Sequence, residues 1–132
     1  MDYQVNWLDD AHTLIQQRYT GVLRLEEYLP TLERCAALIR MEDHPVDIVL
    51  DVRGLSITQL REFFGVVRYV TSKVPSNQRK VVVCADRSFI KALCDATSSI
   101  ALKTLATMQF FETLEAAVNY LLSERATADC PT

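Results

Sequence analysis

The stretch VDIVLDVRGLSITQL, residues 46–60, predicts a buried strand, a short turn and the start of a helix. Residues 46–52 are mostly β-branched or apolar, which is typical of a strand covered on both faces. Asp51 falls where this strand should end, and Ser56 and Thr58 follow at the predicted helix entrance. In the capping box that the spacing allows, the Ser56 hydroxyl accepts a hydrogen bond from a backbone N–H. The stretch therefore predicts one strand–helix unit of an α/β sheet.

The rest of the chain continues this alternation of strands and helices. The predicted elements are strands at 3–7 and 13–19, a helix from Leu25 to Ile39, a strand at 46–52, a helix from Leu60 to Val74, a strand at 80–85, a helix from Phe89 to Ala96, a strand at 108–111 and a helix after Thr113. Pro30 either kinks the first helix or marks a later start near Leu29. The order ββαβαβαβα predicts an α/β fold with a mixed, mainly parallel sheet, in which the first hairpin forms an antiparallel edge.

Composition places the chain among packed globular domains. It has 132 residues, 49% of them hydrophobic, and a net charge of −3. These values predict one domain over residues 1–124, followed by a flexible polar tail at 125–132. An acidic chain is a poor match for nucleic acid.

No apolar run approaches the ~18 residues that span a bilayer, and the start lacks a signal-peptide pattern, so we expect a cytoplasmic protein without membrane insertion.

The sequence contains no pattern of a catalytic, metal or cofactor site. The three glycines, Gly21, Gly54 and Gly65, cannot build either common type of phosphate-binding loop. His12 and His44 lack the spacing of a zinc site. The cysteines form no CxxC pair, and no cysteine or serine has the glycine elbow of a nucleophile. We therefore expect no enzyme activity, no catalytic residues, no metal and no cofactor.

Four phrases of the sequence resemble a known family. They are YTGVLRLEEYLPTLERC (19–35), IVLDVRGLS (48–56), KVVVCADRS (80–88) and FFETLEAAVNYL (110–121). Together with the element order, they resemble STAS domains, and more closely the SpoIIAA-like relatives of bacterial anti-sigma-factor antagonists. The resemblance implies signal transduction by protein contact, with an anti-sigma factor, a kinase-like protein or a STAS-containing complex as partner. A homodimer through the first hairpin is a further alternative, because edge strands invite pairing.

The resemblance fails at the residue that antagonists use as a switch. In that family a kinase phosphorylates a serine at the start of the helix after this strand, and the added charge releases the partner. The family's pattern there, an aspartate, two serines and a glycine, falls on residues 59–62, which puts Leu60 at the switch position. Leucine cannot be phosphorylated, so the resemblance implies binding without the usual switch. Ser56 and Thr58 remain as nearby hydroxyls, and a phosphate at a helix N-terminus is electrostatically favoured.

Partners of the family dock near the turn after this strand. The resemblance therefore implies a partner-binding surface formed by Asp51, Arg53, Gly54, Ser56, Thr58, Leu60, Arg61 and Phe64. Phe64 lies about 100° around the helix from Phe63, which follows the core stripe. Phe64 is therefore either an exposed interface anchor or a second core residue.

The sequence allows two other functions. The first is a Sec14-like binder of a lipid or small apolar molecule, with a cavity lined by Trp7, Tyr69, Phe89 and Leu93. The second is a degenerate response-regulator receiver, in which Asp51 is the phosphate acceptor and Asp9 and Asp10 bind Mg²⁺. A second strand follows the acidic pair, and MQFFETL lacks the lysine of a receiver, which argues against the second function.

Overall fold

The computed structural model describes residues 2–22, 24–56, 65, 74–95 and 108–129. Within these ranges the chain is an α/β protein with a five-stranded mixed sheet. The elements are β1 (Asp2–Trp7), β2 (Leu14–Val22), α1 (Leu25–Arg40), β3 (Val46–Ser56), β4 (Gln78–Cys84), α2 (Arg87–Asp95), β5 (Gln109–Phe111) and α3 (Leu114–Asp129). The helix predicted between β3 and β4 falls largely outside the described residues.

The sheet follows the chain order β1-β2-β3-β4-β5. β1 pairs antiparallel with β2, and β2 to β5 pair in parallel. In β1 the side chains of Tyr3, Val5 and Trp7 are half-buried and alternate with exposed neighbours, as the sequence predicts. The predicted mainly parallel sheet with an antiparallel N-terminal hairpin is therefore confirmed.

Helices cover both faces of this sheet. On one side, the α1 face, Cys35 and Ile39 of α1 pack against β2 and β3, and Phe89 of α2 packs against the neighbouring apolar cluster. On the other side, the α3 face, Ala117 and Leu121 of α3 pack against β2, β3 and β4. Burying these apolar side chains from water is the main stabilising contribution to the fold.

β3 is longer than the sequence predicts. Its last residues Leu55 and Ser56 pair with Gly21 and Val22 of β2, so the strand continues past the predicted end at residue 52. Asp51 therefore lies within β3 and not at its end, which corrects the prediction. The extension forms because β2 continues to Val22, so its backbone N–H and C=O groups can pair with the last residues of β3.

The two long helices also differ from their predicted limits. α1 begins at Leu25 with Pro30 inside it, so the alternative of a start near Leu29 is wrong. The predicted cap of α3 is confirmed, because the Thr113 hydroxyl oxygen accepts a hydrogen bond from the Ala116 N–H at 3.1 Å. α3 then continues to Asp129. None of the helices in the described ranges is long and apolar enough to cross a membrane.

Candidate functional site

A β-bulge shapes the second half of β3. Arg18 of β2 pairs with Asp51, and Thr20 pairs with Gly54, so β3 has one more residue than β2 between these pairs. Such bulges bend a strand and redirect its side chains. A Cβ atom on Gly54 would lie 2.8 Å from Cγ2 of Thr20, so glycine permits the close approach of the two strands here.

Asp51 and Arg53 form an ion pair beside this bulge. Oδ1 of Asp51 accepts hydrogen bonds from the backbone N–H of Arg53 at 3.1 Å and from its Nε at 3.0 Å. Oδ2 accepts from Nη2 of Arg53 at 2.9 Å and from Nε2 of Gln16 at 3.0 Å. The aspartate side chain is 3% exposed and the arginine side chain 35%. The site therefore holds its carboxylate inside the protein and extends its guanidinium toward the surface.

The electrostatics of the site fix the protonation states of its groups. Burial raises the pKa of Asp51, but the hydrogen bonds from Arg53 and Gln16 outweigh it and leave that pKa below its usual 3.8. The hydrogen bond to Asp51 also raises the pKa of Arg53. Cys84, the β4 partner of Asp51 in the sheet, has a thiol whose pKa is raised to about 11 by burial and by the nearby carboxylate. At neutral pH the site therefore contains a paired carboxylate and a protonated thiol.

The structure brings part of the predicted partner surface together. Asp51, Arg53 and Gly54 meet at the bulge, and Ser56 is the last residue of β3. Within this surface Asp51 pairs with Arg53. The other predicted site residues, Thr58, Leu60, Arg61 and Phe64, lie outside the described residues, as does most of the predicted capping box.

A second buried carboxylate, Asp47, was not predicted as a site residue. Its Oδ1 accepts hydrogen bonds from Nε of Arg79 at 2.9 Å and from the backbone N–H of Lys80 at 3.1 Å. Its Oδ2 accepts from Nη2 of Arg79 at 3.1 Å and from Nε of Arg125 at 2.8 Å. Asp47 therefore ties β3 to β4 and to α3.

Arg125 extends this cluster to the turn before β2. Its Nη1 donates to the hydroxyl of Thr13 at 2.8 Å and its Nη2 to the backbone carbonyl of Thr13 at 2.7 Å. One sequence signal could have revealed the cluster. A carboxylate inside a strand covered on both faces must be paired, so Asp47 indicates that cations from elsewhere in the chain reach it.

Asp9 belongs to the same end of the sheet. Its Oδ1 accepts hydrogen bonds from the backbone N–H groups of Thr13 at 2.8 Å and Leu14 at 3.1 Å, so the carboxylate is held by the turn itself. Leu14 pairs with Asp47, four positions before the pairing of β2 with Asp51. Four strand residues span about 13 Å. The acidic pair and acceptor of a receiver therefore do not come together here.

The histidines form a separate contact on the surface. His12 Nδ1 lies 2.8 Å from Oε1 of Glu42, and His44 Nε2 lies 3.4 Å from Oε2 of the same residue. His12 also stacks on Trp7, with ring centroids 4.3 Å apart. Across the ranges that the structure describes, no group of three His, Cys, Asp or Glu side chains could hold a metal ion.

The residues expected to line an apolar cavity do not form one group. Trp7 packs against the buried cluster of Ile15, Cys35 and Ile39, whereas Phe89 packs against a different cluster around Tyr19 and Tyr28. The side chains of Tyr69 and Leu93 are outside the described part of the chain.

Comparison with protein-family models, with curated proteins and with solved structures gave no match.

Proposed function

We propose that this chain is a non-enzymatic regulatory or protein-interaction domain of the STAS/SpoIIAA-like type, which binds its partner at the carboxyl end of β3. Two observations support the proposal. Four segments of the sequence resemble this family, and the sheet begins with an antiparallel hairpin. Ligands of parallel sheets bind at the carboxyl ends of the strands, and Asp51, Arg53 and Gly54 lie in that half of β3.

The observation that carries the proposal is the fixed, half-buried Arg53. Its guanidinium is held by a carboxylate that is itself buried, in a bidentate geometry. An arginine already held in one conformation loses little side-chain entropy on binding. Arginine is also among the residues that most often dominate binding energy at protein interfaces. Arg53 is therefore well suited to anchor a partner.

The protonation states at the site support a non-enzymatic role. Asp51 is ionised and bonded on both oxygens, so it has no proton to donate as a general acid. The thiol of Cys84 stays protonated at neutral pH, and a thiol is a much weaker nucleophile than a thiolate. Leucine at the switch position, residue 60, supports partner binding that does not depend on phosphorylation there.

A capture experiment tests the proposed surface. We would use the full chain as bait in an extract of its native host and quantify bound proteins by mass spectrometry. The bait variant Asp51→Asn/Arg53→Gln removes the ion pair without leaving a buried unpaired carboxylate. We expect it to lose a specific partner by at least about tenfold, the effect of an interface hot spot.

The matched control is Arg40→Gln, which removes an exposed arginine from the last turn of α1. It should bind as the unmodified chain does. Equal capture by all three baits would contradict the proposed surface.

Intact-mass analysis with site mapping separates the regulatory alternatives. We expect no phosphate on the chain purified from its native host. Phosphate on Ser56 or Thr58 would instead indicate a switch with a displaced acceptor, and acid-labile phosphate on Asp51 would favour a receiver.

A further inference from the structure

β1 forms an open edge of the sheet. It stands first in the strand order, and among the described residues it pairs with β2 alone. The pairing runs from Asp2 opposite Thr20 to Trp7 opposite Ile15 without a register shift. The outer side of such a strand presents a row of backbone N–H and C=O groups that can bond to a further strand.

The ladder with β2 shows which backbone groups face outward. The N–H of Leu8 donates to the carbonyl of Leu14 at 2.8 Å, so these two residues form a hydrogen-bonded pair directly after the strand. In an antiparallel ladder, hydrogen-bonded and non-bonded pairs alternate. The residues of β1 that lie between bonded pairs therefore point their backbone groups to the free edge, and these are Tyr3, Val5 and Trp7.

The side chains of β1 do not block this edge. Tyr3, Val5 and Trp7 are half-buried on the α1 face and alternate with exposed polar residues. Natural edge strands avoid pairing with other chains by means of lysine, proline or a β-bulge. β1 contains none of these, and Asp2 is its only charged residue. The edge is therefore open to a strand with a matching side-chain pattern.

We propose that β1 pairs antiparallel with β1 of a second copy of this chain, with the twofold axis at Val5. In this register Val5 lies opposite Val5 of the second copy, and Tyr3 lies opposite Trp7. Every outward backbone N–H and C=O of β1 then has a partner, because the outward residues of one copy oppose those of the other. A twofold interface of this kind uses the same surface on both subunits.

The same register also matches the side chains on the two faces. On the α1 face, apolar and aromatic residues of one copy oppose those of the other, and such cross-strand pairs stabilise a sheet. On the other face Gln4 lies opposite Asn6, and both amides donate and accept hydrogen bonds. Asp2 falls opposite Leu8, so no two like charges in β1 oppose each other. The strand is therefore complementary to itself, which favours a second copy over an unrelated strand.

The dimer does not depend on the partner site proposed at Arg53. β2 lies between β1 and β3, so the edge of the sheet and the Asp51–Arg53 pair are on different strands that do not adjoin. Loss of partner capture in the Asp51→Asn/Arg53→Gln variant and loss of the dimer are therefore measured separately.

Sedimentation equilibrium of the full chain, from micromolar to millimolar concentration, tests the dimer. We expect a reversible equilibrium between monomer and dimer. Val5→Lys places two lysines opposite each other at the axis and should weaken the dimer at least about tenfold. The control Gln4→Lys, in the same strand but opposite Asn6, should dimerise as the unmodified chain does. A monomer at every concentration, or equal weakening by both variants, overturns the proposal.

Disulfide formation tests the register and decides the question if Val5→Lys does not fold. Gln4→Cys and Asn6→Cys are made separately in a chain that also carries Cys94→Ser and Cys130→Ser. Opposite residues of a non-bonded pair have Cα atoms about 4.5 Å apart, which a disulfide spans, whereas diagonal neighbours lie about 7–8 Å apart, which it does not. A mixture of the two variants should therefore form a disulfide-linked dimer, and neither variant alone should. Any other pattern of linkage overturns the proposed pairing.

Discussion

β3 carries two buried aspartates on one face, four residues apart, and they are held in different ways. Each oxygen of Asp47 and of Asp51 accepts two hydrogen bonds from the described residues. The donors to Asp47 come from β4 and α3, far away in the sequence. Most donors to Asp51 belong to Arg53, two residues along the same strand.

The difference separates a structural carboxylate from one that positions a surface group. The two arginines on Asp47 are 27% and 23% exposed, and they join three elements at the amino ends of the parallel strands. Among the described residues, the hydrogen bonds of Asp51 join β2 and β3 alone, and its arginine is more exposed. Removing Asp47 should therefore damage the fold, whereas changing the Asp51 pair should mainly change the surface.

The largest expected effect is that of Asp47→Asn. The substitution removes the negative charge that two arginines share and puts an NH₂ donor in place of one acceptor oxygen. Breaking such a buried pair is destabilising by about 3–5 kcal/mol. Urea unfolding of the variant and the unmodified chain measures this loss. Asp43→Asn, at an exposed position nearby, should change the free energy of unfolding by no more than about 0.5 kcal/mol.

Asp51→Asn should lower the free energy of unfolding by only about 1–2 kcal/mol. Breaking a fully buried pair is more destabilising, but here the freed guanidinium of Arg53 can turn into water. The same urea experiment checks this value. A loss as large as that of Asp47→Asn would remove the distinction between the two aspartates.

The pH dependence of stability sharpens the comparison at Asp51. Its pKa is lower in the folded protein than the usual 3.8, so its ionised form stabilises the fold above that value. This contribution is lost as the pH falls below about 3.8 and through the folded pKa. We therefore expect the stability difference between the unmodified chain and Asp51→Asn to be smaller at pH 3 than at pH 7. An equal difference at both values would contradict the lowered pKa.

The smallest expected effect is that of Gly54→Ala at the bulge. The new methyl group would meet Cγ2 of Thr20, which destabilises the folded state. Alanine also lowers the conformational entropy of the unfolded chain, and this offsets part of the loss of stability. We expect a net loss of about 0.5 kcal/mol in urea unfolding. Thr20→Ser removes the opposing methyl group, so it should restore stability in the double variant. No restoration would mean that the bulge does not depend on this approach.

Local patterns in the sequence predict much of the sheet. The alternation in YQVNW and the apolar run KVVVCA indicate β1 and β4 because a strand's burial pattern is set by its own residues. The end of β3 is missed because Arg53 and Gly54 are typical of turns, and only pairing with β2 makes them part of a strand. The Asp47 cluster is missed because its cations lie 32 and 78 residues away. The pairing of Asp51 with Arg53 joins residues two positions apart and is accessible from sequence, whereas the position of Asp51 inside β3 depends on β2. Leu60 and its neighbours are outside the described residues.

The contact between Thr13 and Arg125 has a consequence for the order in which the protein folds. It joins residues 112 positions apart, so the chain must close a long loop to form it. During synthesis β1, β2 and β3 emerge first, and the carboxylate of Asp47 then lacks one of its two arginines until α3 has been made. The cluster around Asp47 can therefore be completed only after α3 has been made, and a newly made chain lacks its second arginine until then.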